Sequence, residues 1–190
     1  MTLAPSQPAV AGQHPARFPA RFTVEQFHRL CEAVPEQRLE LIDGELLQVI
    51  AKGTRHTSVV HRLIAVTQAV LDTHSESALQ LRVESPLDLG PANEPEPDLA
   101  LVARRDDDYW TAHPTAADTA LVIEVSDTSL TFDLEAKARL YAASGIPAYW
   151  VIDVQTPCLH RVREAPGPAD TLLAALRASV ERLIAGLPRS

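Results

Sequence analysis

The run Leu121-Val122-Ile123-Glu124-Val125 is the most strand-like stretch of the chain, and it carries a carboxylate near its end. A strand that is apolar on both faces belongs in the middle of a sheet. An ionised acid there is costly unless it is paired or bound to a cation. Without such a partner its pKa rises and it takes up a proton. Two further acids have similar settings: Asp98 opens the strand-like Asp98–Val102 directly after Pro97, and Glu40 sits inside Leu39-Glu40-Leu41. Each has a second reading. Glu40 fits the outward position of an alternating edge strand, Asp98 a turn or strand start, and Glu124 a structural ion pair.

The rest of the pattern supplies helices and strands around these acids. Thr23 with Gln26 three positions on is a capping-box pair, and Val24, Phe27, Leu30 and Cys31 follow at helical spacing, so a helix is predicted over 23–34, ended by Pro35. Asp43-Gly44 between two apolar runs predicts a hairpin over 38–50. Val59, Val60, Leu63, Ile64, Val70 and Leu71 mark a helix over 57–74. Strands are expected at 79–83, 86–89, 98–102, 121–125, 148–154 and 159–163, and an amphipathic helix over 133–144 stops at Gly145. This order predicts an α/β or α+β fold, a mixed sheet flanked by helices. Residues 1–20, broken by four prolines, read as a disordered arm; 21–165 form the domain; 166–190 hold a Pro-rich linker and a last helix of unassigned packing.

Lys137 lies three residues after Leu134, at the border of the face marked by Leu134, Ala138 and Tyr141. On spacing it is a solvated lysine paired with Asp133; the acid on the preceding strand gives it a second use. Ser126 shares the Glu124 face and either binds a metal-held water or caps the following turn. His56 and His61 are five apart, which denies them one helical face for a shared metal, and the remaining histidines show no ligand spacing, so no zinc site is expected. Gly-rich phosphate loops and nucleophile elbows are missing.

The charge balance, 17 basic against 25 acidic residues for a net −8, argues against broad phosphate neutralisation. It leaves room for an enzyme that places metal ions between its acids and a phosphate. No apolar run is long enough for a membrane span, and a cytoplasmic location is expected. Cys31 and Cys158 make no disulfide framework and are expected to stay reduced.

Pro97-Asp98 followed by Glu124-Val125-Ser126 resembles the bipartite motif of the PD-(D/E)XK nuclease superfamily. The ordered set from Leu39-Glu40-Leu41-Ile42-Asp43-Gly44-Glu45 through Glu96-Pro97-Asp98-Leu99, Ile123-Glu124-Val125-Ser126 and Lys137 with Tyr141, to Gly145-Ile146-Pro147 and Tyr149-Trp150-Val151-Ile152-Asp153, is similar to the Uma-two family of restriction endonucleases. The likeness runs from about Phe22 to Val162. It implies a restriction-endonuclease-like fold and a metal-dependent endonuclease acting on DNA. Asp98 and Glu124 would be its metal-binding acids, with Glu40 and the Val125 carbonyl as further ligands and Mg²⁺ or Mn²⁺ as the ion. Ser126 stands where the superfamily's lysine usually falls, and Lys137 matches a lysine moved to the following helix. Glu96 stands where the family often has Gln. Homodimers are common in such folds, and a homodimer is expected here. The alternative is a catalytically inactive nuclease-fold module that binds or regulates.

Overall fold

The computed structural model describes residues 19–188, so most of the expected N-terminal arm lies outside the described residues. Helix α1 (Val24–Ala33) begins at the reciprocal Thr23–Gln26 capping box. Strands β1 (Leu39–Ile42) and β2 (Glu45–Gln48) pair antiparallel around Asp43 and Gly44. Both turn residues have positive φ, 51° and 74°, as a two-residue hairpin turn requires. The chain of Phe22 passes so close that a β-carbon on Gly44 would lie 3.2 Å from the Phe22 carbonyl oxygen. Glycine is needed there on both counts.

Helix α2 (Thr54–Thr73) starts three residues earlier than its apolar stripe predicts, capped by Gly53. The main sheet has five strands in the order β3 (Leu79–Val83), β4 (Leu99–Ala103), β5 (Thr119–Ser126), β6 (Ala148–Asp153), β7 (Cys158–Glu164). The β5–β6 pair is parallel and its neighbours antiparallel, so the sheet is mixed, with β5 at its centre. No strand forms at 86–89. There, Leu87 and Leu89 donate to Pro95 and Asn93 across their own loop, and a single bridge joins Asp88 to Thr115. The prolines in and after this stretch withhold the donors that a ladder needs.

The sheet has two different faces. Leu99, Leu101, Leu121, Ile123, Trp150 and Ile152 pack against α2 and the final helix α5 (Asp170–Ala185). On the opposite face Ala100, Val102, Val122, Tyr149 and Val151 meet Leu87, Tyr141 and Ile146. The segment covering this second face departs from a regular helix. It runs as α3 (Leu130–Phe132), a π-helical turn (Asp133–Lys137) and α4 (Ala138–Ala143), with the wide turn in its middle.

Candidate active site

The alternation of β5 decides where Glu124 points. Val122 belongs to the Tyr141 face, so Glu124 shares it and lies buried, 4% exposed, under the α3–α4 segment. The Leu99–Ile123 pairing makes Asp98 the next residue opposite Glu124, and the Asp98 Oδ2 atom accepts the Val125 amide at 2.7 Å. Glu40 comes from the hairpin, buried on β1 rather than outward. All three acids line one open pocket of about 580 Å³, with Lys52, His56 and Lys137 among its walls.

Each acid meets a cationic side chain. Lys137 donates to Glu124 Oε1 at 2.9 Å and lies 3.3 Å from Glu40 Oε2. It is 6% exposed, so it is not the solvated partner of Asp133 that its spacing allows. Lys137 lies in the π turn together with Asp133, and both side chains are buried. Tyr141 adds a hydrogen bond to the same Glu124 oxygen at 3.0 Å. Asp98 takes Lys52 at 2.5 Å on Oδ1 and His56 Nε2 at 3.0 Å on Oδ2. Lys52 also reaches Glu84, whose backbone sits at φ 44° after β3.

Burial and these partners set the protonation states. Burial pushes Glu124 up to about 8; Lys137 opposes the shift, while Asp98, Asp133 and Glu40 add to it. Burial also raises Glu40 and Asp133. At Asp98 burial is outweighed by His56 and Lys52, which hold its carboxyl below the usual range. Burial disfavours the Lys137 ammonium, but Glu124 and Glu40 more than offset it, and the lysine stays charged.

The donor chemistry fits a hard divalent cation. The candidate ligands are carboxylate oxygens, which suit Mg²⁺ or Mn²⁺. The Glu124 hydrogen bonds both use Oε1, leaving Oε2 without a protein partner among the described residues. Ammonium groups already neutralise the acids at this point. Glu40, Asp98 and Glu124 do not bring three ligand atoms within 4.8 Å of one another.

His56, Lys52 and Asp133 are pocket or partner residues that the motifs do not single out. His56 falls on the stripe His56, Val59, Val60, Leu63, Thr67, Val70 that α2 buries, so extending that stripe by one turn would have found it. Nothing in the spacing marks Lys52. Ser126 is buried and contacts the Ser129 hydroxyl at 3.3 Å, and Ser129 donates to Asp133 at 2.6 Å, which favours its reading as a turn residue.

The pattern of the Uma2 family, described as "Putative restriction endonuclease", matches residues 24–186. The match therefore reaches through α5, beyond the Phe22–Val162 span of the motif likeness. A crystal structure titled as a putative nuclease belonging to DUF820, from Anabaena variabilis, is similar with a TM-score of 0.53 at 18% identity, over 82% of this chain and 99% of that one. At that identity the likeness speaks for the fold. No curated protein matches the chain.

Proposed function

The chain belongs to the Uma2 restriction-endonuclease family, and from that footing we propose that it is a Mg²⁺- or Mn²⁺-dependent endonuclease hydrolysing DNA phosphodiester bonds. The observation that carries the reading is the convergence of Asp98, Glu124, Glu40 and Lys137 in one pocket from four separate elements. Asp98 and Glu124 would hold the ion, with Glu40 and the Val125 carbonyl beside them. A bound divalent ion polarises the phosphate and lowers the pKa of water. Lys137, which donates to Glu124, would stabilise charge developing on the phosphoryl oxygens. His56 and Lys52 keep Asp98 ionised and fix the direction of its carboxylate. Tyr141 fixes the direction of the Glu124 carboxyl. The net charge of −8 makes the ion the chief means of drawing in a polyanion.

Plasmid nicking tests the proposal. Chelator-stripped protein should cut nothing, and Mg²⁺ or Mn²⁺ should restore cleavage. Asp98→Ala, Glu124→Ala and Lys137→Ala should each lower the rate by about 10²-fold or more. Cleavage that persists in the two acid variants would refute the assignment. The pairing of every site acid with a resident cation favours a second reading, a nuclease-fold module without turnover. It predicts no rise in melting temperature with Mg²⁺.

A further inference from the structure

We propose that the β6–β7 hairpin holds a second metal site, for a transition ion such as Zn²⁺, built from Asp153, Cys158 and His160. The hairpin register pairs Asp153 with Cys158 and Val151 with His160. Alternation then puts Cys158 and His160 on one face of β7, beside the end of β6. Each residue offers one ligand atom, and the three atoms all lie within 4.8 Å of one another. The Cys158 sulfur is 3.1 Å from His160 Nε2. Asp153 is buried, and its Oδ1 accepts the amides of Gln155 at 2.8 Å and Thr156 at 3.1 Å, so the turn fixes the carboxylate.

The donors are a thiol, an imidazole and a carboxylate. That set suits Zn²⁺ and its neighbours, whereas the oxygen-only pocket at Asp98 and Glu124 suits Mg²⁺. The two sites therefore select different ions. Burial, with Asp153 adding to it, pushes the Cys158 thiol up, and its sulfur shares a hydrogen bond with His160 Nε2. Loading breaks the S–H bond, forms the metal–sulfur bond and releases one proton to solvent. Cys158 and His160 are half-buried, which leaves the fourth position open to water. This site stands independently of the nuclease reading.

The test uses full-length protein stripped with chelator and titrated with Co²⁺, then Zn²⁺. Co²⁺ should give a thiolate-to-cobalt charge-transfer band that saturates at one equivalent, vanishes on adding Zn²⁺ and is accompanied by proton release. Cys158→Ser should abolish the band, His160→Gln should weaken binding at least about tenfold, and Cys31→Ser should leave both unchanged. Wild-type alkylation keeps the test open should the hairpin variants misfold: Zn²⁺ should shield Cys158 and not Cys31. No band, a band surviving in Cys158→Ser, or equal shielding of both thiols overturns the proposal.

Discussion

Burial opposes the ionised form of Glu124 most strongly, Lys137 favours it, and Asp98, Asp133 and Glu40 oppose it further. The carboxyl moves from its ordinary 4.5 to about 8. Between those values the folded protein holds a proton that the unfolded chain has released. The unfolded state then binds fewer protons, so stability falls as pH rises. The metal-free protein should therefore lose stability from about 4.5 up to about 8, the two values at Glu124. The slope should be no steeper than about 1.4 kcal/mol per pH unit for this one group. Glu40 and Asp133, also raised by burial, act in the same direction. Asp98 is lowered, so its contribution is lost only as pH falls below its ordinary 3.8, outside the window. Urea melts in chelator across the window should show this decline, and Glu124→Gln should flatten it. A flat wild-type profile would mean that solvent reaches Glu124. The acids were legible in the sequence because a carboxylate inside an apolar strand needs an explanation. Lys52 was not, since its role depends on where an irregular segment before α2 brings it.

Lys137, at the border of its helix's apolar face, is buried within a π turn. A regular helix advances about 100° per residue, and the stripe of Leu134, Ala138 and Tyr141 leaves Lys137 at its border. Within the wide turn Asp133 meets Ser129 while Lys137 meets Glu124 and Glu40. Lys137→Met leaves Glu124 and Glu40 buried without their ammonium partner, and breaking a buried pair costs about 3–5 kcal/mol. Urea unfolding should report a loss of that size with helical circular dichroism retained. A Lys137→Met variant as stable as wild type would show that the ammonium offsets nothing at these acids. Sequence reasoning predicts a regular helix over 133–144 because its cues are periodicity and the Gly145 stop, and neither registers one inserted residue. The hairpin that carries Glu40 was legible by contrast, because Asp43-Gly44 encodes its turn locally. The false strand at 86–89 marks the same limit: its apolar residues bury, but its amides pair within their own loop.

The two faces of the sheet divide the molecule's work. One face carries Glu124, Lys137 and Tyr141; the other is an apolar layer in which α5 packs on α2. Leu172, Leu176, Val180 and Ile184 supply α5's buried stripe, and Leu176 is wholly buried. α5 also bears on the pocket indirectly, because α2, against which it packs, begins at the turn carrying His56, the partner of Asp98. Leu176→Ala removes buried methyl groups from the layer farther from the acids, and such truncations cost about 2–5 kcal/mol. The loss should appear as a lower urea midpoint at unchanged m-value, since the same surface is exposed on unfolding. The decline in stability with pH set by Glu124 should keep its slope, because no group on the Tyr141 face has moved. A changed slope would show that α5 reaches the acids through α2 and His56, and that the two faces act as one unit. An unchanged slope would mean that the apolar layer sets stability while the site side chains set the response to protons, and that the two can be altered separately.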